Sequence, residues 1–347
     1  MSKTTTTFNL AHALAEDGKN VVVVDADPQC NFTQLFMAPI IDQLDERSSK
    51  EHEIIPLPGT TVLEALSPRF SGKTENVDVS AIKLVPSPYY KNIQLFPGDV
   101  DLNTAEDDLS QAHVQRMSSS VHWKFSYVAI YNMIQELGRR ENADYIFIDV
   151  GPSAGSLTRA CFLASDAFFV PAAPDRFNVQ AISSLSRIID KWIDEHRQVV
   201  QSFRDLGLTI SEGLPLFLGT IVQNFKLARG GEAKAGFKLW MERLPERVDA
   251  DFIPVLQKWS RKGGRDLLSV VKRFGDTEAG RIPDFASLGT VMQDCGKPVY
   301  DLSQDDTRAV NPGGYSGVVW DDAKERMAKW REIFRALEER LNFAQTV

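Results

Sequence analysis

The chain has 347 residues, 43% of them apolar, and a formal net charge of −8. That is enough to bury a sizeable core, and it is the wrong sign for a uniformly basic nucleic-acid binder. No run reaches the ~18 consecutive apolar residues of a membrane span and no signal-peptide pattern is present, so neither insertion nor secretion is expected. Cys30, Cys161 and Cys295 are widely spaced without a C-x-x-C pair. Buried free thiols in a reducing cytoplasm are expected, not a disulfide framework or a zinc site. By length the chain is two domains, or one large α/β domain with insertions.

Residues 1–31 carry the first chemical signal. Lys3-Thr4-Thr5 runs into an apolar helical stretch, Phe8 to Ala15, and Gly18 stands where a helix end favours a left-handed residue. Val21 to Val24 reads as a buried parallel strand. It ends in Asp25-Ala26-Asp27-Pro28-Gln29, placing two carboxylates at a strand's C-terminal end, where open α/β sheets bind ligands. A Lys-Thr pair at the mouth of a helix is the end of a phosphate-binding loop, with the Lys reaching the β/γ-phosphates and the Thr hydroxyl on Mg²⁺. The dipeptide means little alone; the helix, strand and carboxylates that follow give it weight.

Further along, a short helix is predicted over 32–36, a polar surface loop over 39–60, helical turns at Thr61–Leu66, a strand at Ile93–Phe96 and a helix at Trp123–Leu137. Residues 144–153, DYIFIDVGPS, carry the second signal. Tyr145 to Ile148 forms a strand ending in Asp149, the place for a carboxylate that holds Mg²⁺ through water. The Gly151-Pro152 turn after it is suited to sensing a γ-phosphate. A helix at Leu157–Ala164, a strand at Ala167–Val170, a long helix at Gln180–His196 and a strand at Leu216–Val222 follow, with Asn224 just beyond.

This order of helix, strand, D-x-D-P-Q and a later Asp-terminated strand resembles the ParA-type ATPases, the partition relatives of MinD within the deviant Walker-A class. The resemblance covers most of residues 2–222 and, more loosely, 282–341. It implies an α/β fold of the P-loop NTPase, SIMIBI-like kind, with a mostly parallel open sheet flanked by helices. It further implies ATP and Mg²⁺ as cofactors. Lys3 and Asp27 would be catalytic, Lys3, Thr4 and Thr5 would contact the nucleotide, and Thr4 and Asp149 would place the metal. Asn224 matches a family contact to adenine, or is simply a turn former. The family opens with a strand and K-G-G-x-G-K-T-T, whereas here Ser2 replaces the Gly before the Lys and the first strand and leading K-G-G are absent. Met1 falls at the variable x, so the expectation is an internal methionine taken as a start, or a truncation point. The alternative is a degenerate protein that binds no nucleotide.

Residues 226–273 hold twelve Lys/Arg against six Asp/Glu, densest at Arg261-Lys262-Gly263-Gly264-Arg265. The glycine pair lacks a G-K-[ST] ending and a preceding strand, so it is not a phosphate loop. Arg261, Lys262 and Arg265 are candidates for sequence-independent contact with DNA phosphates. Alternatively, the segment is a solvated helical face with long stems lying over Trp240, Leu244 and Trp259. The expected division is an ATPase core at 1–225, a basic, mainly helical insertion at 226–280, and the end of the core with a C-terminal docking helix at 281–347. Lys297-Pro298-Val299-Tyr300 is similar to the family's final strand. The last helix carries apolar residues from Trp320 to Leu341 at 3–4 spacing, with too many glutamates for a membrane-targeting face.

The function the resemblance implies is ATP hydrolysis by a homodimer that holds nonspecific DNA. Its role would be plasmid or chromosome partition or cargo positioning, prompted by a ParB-like or other stimulating partner, in the cytoplasm or on the nucleoid and not at a membrane. The rival readings are a non-hydrolysing regulatory relative, an iron–sulfur or reductase relative, and a division-site regulator. The five histidines suggest no metal or catalytic cluster.

Overall fold

The opening stretch folds as helix α1 (Ser2–Glu16), which leads through Gly18 at φ +82° into strand β1 (Val21–Ala26). The computed structural model describes residues 2–227 and 233–347; Met1 and, in the basic segment, Arg229 and Glu232 lie outside the described residues. In chain order there follow α2 (Asn31–Glu51), α3 (Val62–Phe70), β2 (Val85–Pro86), β3 (Ile93–Phe96), α4 (Asn103–Val114), α5 (Val121–Glu141), β4 (Tyr145–Val150) and α6 (Ser156–Ala164). Then come β5 (Ala167–Ala172), α7 (Arg176–Asp205), β6 (Leu216–Phe225), α8 (Ala235–Arg247), α9 (Ile253–Gly263), α10 (Ser269–Phe274), β7 (Glu278–Pro283), α11 (Ser287–Cys295) and α12 (Val318–Ala344).

The elements gather into two units. One comprises Lys3–Thr158 with Phe285–Glu332, the other Arg159–Asp284 with Ile333–Val347. In the first, the sheet order is β2-β3-β1-β4, with β1 parallel to both β3 and β4 and β2 antiparallel to β3. The four valines of β1 are at most 2% exposed, as an unbroken apolar run in a parallel strand requires. Helix α1 has the same character, since Phe8, Leu10, Ala11, Ala13 and Leu14 are all buried; a helix apolar on most sides belongs inside. In the second unit β5, β6 and β7 form a parallel sheet in that order. Its core joins Phe217 and Val222 to Ile189 and Ile193 of α7, Leu244 of α8, Phe252, and Leu256 and Trp259 of α9.

Two segments differ from the sequence reading. The region expected as a loop from residue 39 continues as helix to Glu51, through Pro39. Proline removes the bond to the Leu35 carbonyl. Gly296, at φ +60°, lies so close to Leu35 O and Pro39 that a Cβ there would fall 3.0 Å and 2.9 Å from them, so α11's end packs against the site of the missing bond. Lys297-Pro298-Val299-Tyr300 is no strand but leads into a 3₁₀ turn over Val299–Asp301. Val299 N–H donates to Asn9 Oδ1 (2.7 Å) and Tyr300 OH donates to Asn9 O (2.9 Å), so these groups bind α1 and not a sheet ladder. The last strand is β7.

Helix α3 begins with a complete capping box. Thr61 Oγ1 accepts from Glu64 N–H, and Glu64 Oε2 accepts from Thr61 N–H. The Thr61 hydroxyl also donates to Asp99 Oδ2 at 2.6 Å. Thr61→Ala should therefore cost about 1–2 kcal/mol, seen as a lower urea midpoint with unchanged m-value.

Candidate functional site

The register of the first sheet creates the site. Asp25 and Asp149 are directly paired across β1 and β4, so their side chains stand on the same face at the C-terminal ends of two adjacent parallel strands. The first turn of α1 comes to this end. Thr4 Oγ1 donates to Asp149 Oδ2 at 2.8 Å and Thr7 Oγ1 donates to Asp149 Oδ1 at 3.3 Å. Lys3 Nζ donates to the carbonyl of Gly151 at 2.9 Å. Gly151 in turn is tight against Asp27, because a Cβ at that position would lie 3.3 Å from Asp27 Oδ1. Lys3, Thr4, Asp27 and Asp149 are thus brought together around the start of α1, where free N–H groups and the helix dipole favour an anion. Thr5 follows on α1, and its carbonyl accepts from Asn9 Nδ2.

The two acids of D-A-D behave differently. Asp25 is fully buried and spends its oxygens internally: Oδ2 accepts from Thr33 N–H (2.8 Å) and Thr33 Oγ1 (2.7 Å), and Oδ1 accepts from Asp27 N–H (3.2 Å). Thr33 Oγ1 then accepts from Gly98 N–H at 2.9 Å. Asp25 therefore fastens the start of α2 and the turn after β3 to the end of β1, and is a framework carboxylate. Asp27 accepts locally, through Oδ1 from Gln29 N–H at 3.0 Å, and lies beside Lys3's partner Gly151. Thr7, Thr33 and Gly98 escaped the sequence reading; their parts depend on partners that only folding brings near.

Electrostatically the site is short of positive charge. Burial raises the Asp149 carboxyl to about 7, opposed by the Thr4 hydrogen bond, with the Asp25 charge pushing the same way as burial. Burial likewise lifts Asp25 to about 6 against the hydrogen bonds from Thr33 and Asp27. Burial lowers Lys3 from its ordinary value, while the charges of Asp149 and Asp27 pull it back up. Two acids, Asp149 and Asp27, act on one ammonium, which suits a divalent cation. Yet among the described residues no three His, Cys, Asp or Glu side chains converge as a self-sufficient metal centre. That donor set fits Mg²⁺, which is held by one or two protein oxygens together with substrate phosphates, not by an all-protein cage.

The other candidates belong to the second unit. Asn224 is exposed at the end of β6, in the left-handed region at φ +60°, where the pairing with β7 shifts register. Arg261 and Lys262 are exposed on the last turn of α9, with Lys262 Nζ 4.9 Å from the centre of the Trp259 ring. Arg265 is half-buried and its Nη1 donates to the Leu214 carbonyl at 3.4 Å. Cys30 and Cys161 are buried, and burial beside Asp25, Asp99 and Asp27 pushes the Cys30 thiol up to about 12. These thiols are poor cluster ligands.

Comparison with known proteins agrees with this geometry. Residues 1–202, more than half of the chain, match the AAA domain family. The chain is 27% identical over 185 residues to the sporulation initiation inhibitor protein Soj of Bacillus subtilis, covering 53% of this chain and 58% of Soj. It is 27% identical over 191 residues to the chromosome partitioning protein ParA of Caulobacter vibrioides, covering 55% of this chain and 58% of ParA. The match thus spans little more than half the length of these relatives. The Cyanothece McdA–ATP complex superposes with a TM-score of 0.57 at 17% identity, covering 98% of this chain and 91% of McdA, a likeness of fold. The Asp-terminated parallel strands, the Lys-Thr helix start between them and the family match together place this chain in the ParA-type P-loop ATPase family.

Proposed function

We propose that the chain binds ATP with Mg²⁺ at the α1 start and hydrolyses it as a homodimer, in DNA partition or cargo positioning. The contact that carries this reading is Thr4 Oγ1 on Asp149 Oδ2. A hydroxyl and a carboxylate from distant parts of the chain meet beside an ammonium, where the start of α1 reaches Asp149 near the end of β4. Thr4 and Asp149 would hold Mg²⁺ on the protein side, and the ion would supply charge compensation for the phosphates. Lys3 would leave the Gly151 carbonyl to neutralise phosphate charge, Thr5 would add a donor beside it, and Asp27 would orient the attacking water. Asn224 is proposed as the adenine contact.

Nonspecific DNA is proposed to meet the second unit at Arg261, Lys262 and Arg265; Lys272 and Arg273 of the same unit are also exposed. A ParB-like or other partner would prompt turnover. No helix among the described residues is long and apolar enough to cross a membrane, in keeping with action in the cytoplasm or on the nucleoid. The proposed division remains a core at 1–225, a basic insertion at 226–280 and a closing segment at 281–347.

The test is ATP binding and phosphate release with Mg²⁺, with and without duplex DNA, for the chain and for Asp27→Ala. Binding in both, with turnover lost only in Asp27→Ala, is expected. Tight binding without turnover in the parent chain would replace the enzyme by a non-hydrolysing regulator.

A further inference from the structure

The loop between β4 and α6 is held at both stems and open at its tip. Its upstream end, Gly151, is buried and accepts from Lys3. Pro152, Ser153 and Ala154 are exposed. Its downstream end is held from another helix. Glu106 on α4 places Oε2 on Ser156 N–H at 2.6 Å and on Leu157 N–H at 3.1 Å. These are two of the donors that the first turn of α6 leaves without helical partners, and the carboxylate sits at the positive end of the helix dipole. The fit also fixes a neighbour: a Cβ at Gly155 would fall 2.4 Å from Glu106 Oε1, so the carboxylate and any side chain at position 155 exclude one another. The turn before α4 is itself tied to the site, through Gly98 N–H on Thr33 Oγ1 and Thr33 on Asp25.

The two stems differ in kind. The upstream hold is a lysine that a phosphate would compete for, and the downstream hold is a carboxylate that an anion would not displace. We infer that Glu106 is a positioning residue for the phosphate reaction, clamping the first turn of α6. When Lys3 exchanges the Gly151 carbonyl for phosphate, residues 151–155 are then free to move about that fixed end, and the moving stem, Gly151, is the one against Asp27. This rests on the ATPase reading above. Glu106 acts through the loop and need not touch substrate.

The test pairs hydrogen exchange with kinetics on the full chain, using Glu106→Ala, Glu106→Gln and Gly155→Ala. In nucleotide-free protein, Glu106→Ala should speed exchange of the 156–158 amides roughly fivefold to thirtyfold, the usual worth of a helix cap converted to an opening equilibrium. Glu106→Gln, whose amide oxygen still accepts, should restore most of the protection. Gly155→Ala, which expels the carboxylate while leaving it in the chain, should reproduce the loss. With ATP and Mg²⁺, Glu106→Ala should lower kcat about tenfold with KM within about twofold, the pattern of lost transition-state positioning. Unchanged exchange in both Glu106→Ala and Gly155→Ala would overturn the clamp whatever the kinetics show. Faster exchange with parental kcat would overturn the positioning role. No ATP turnover in the parent chain would overturn the ATPase reading and the kinetic half with it, while the exchange measurement still decides the clamp.

Discussion

Lys3→Ala should lower kcat/KM for ATP by about 100- to 1000-fold, the loss that follows removal of one preorganised donor from a developing oxyanion. In the structure this ammonium is half-buried against the Gly151 carbonyl, near Asp149 and Asp27. Among the described residues it is the cation whose charge acts on Asp149. Lys3→Arg tests geometry separately from charge. The guanidinium keeps the charge but presents a planar fork in place of a compact point donor, at a spot where even a Cβ on Gly151 would crowd Asp27. Nucleotide binding should survive in Lys3→Arg, with kcat down at least about tenfold. Parental kcat/KM in Lys3→Ala would remove Lys3 from the chemistry and leave its Gly151 bond as a structural latch.

Much of this site was legible because its parts are local. An apolar run closed by an acid reads as a parallel strand ending at a ligand site, and both β1 and β4 were found this way, with Asp149 at the predicted place. Lys3 and Thr4 take their meaning from the helix, strand and carboxylates that follow and from the family resemblance these carry, since a Lys-Thr pair has no pattern of its own. What stayed hidden depends on tertiary partners. Asp25 and Asp27 look alike in sequence, and only Thr33 and Gly98, brought in by the fold, make one a framework group and leave the other at the site. Glu106 lies 50 positions from the helix it caps, and nothing in its surroundings on the chain marks it. The far half of α2 reads as loop from sequence because residues 42–51 are mostly charged or polar; such a solvated helix has no apolar stripe to betray it. Strand β7, EAGRIP, lacks the β-branched density that a strand usually shows, and it is recruited by pairing with β6.

His196→Gln should make stability less sensitive to acid, and the sign is fixed by burial. His196, on α7, is 2% exposed. Its Nε2–H donates to the Ser211 carbonyl at 3.0 Å, and Gly213, at φ +63°, is so close that a Cβ there would lie 2.5 Å from the ring. Burial lowers this imidazole to about 4, with the Ser211 bond opposing, and the charges of Arg197, Glu212 and Arg204 lie around it. Between pH 6.5 and 4 the unfolded chain therefore takes up a proton that the folded chain refuses. The stability this neutral ring contributes is complete above pH 6.5 and is lost as pH falls through that window, in total about 3 kcal/mol. His12, also lowered to about 4 by burial, adds a similar slope. Asp25 and Asp149 slope the other way: raised to about 6 and about 7, they hold protons that the unfolded chain gives up, so they cost stability as pH rises from about 4. The parent protein should thus show a shallower acid profile than its histidines alone would impose. In His196→Gln the amide can still donate to Ser211, while the titration is gone. The variant should be about 1–2 kcal/mol less stable than the parent at pH 7.5 through poorer packing. That deficit should shrink by about 3 kcal/mol at pH 4 and change sign, as read from urea unfolding at a series of pH values. Parallel pH profiles for the two proteins would mean that His196 carries its proton in the folded state as readily as in the unfolded one.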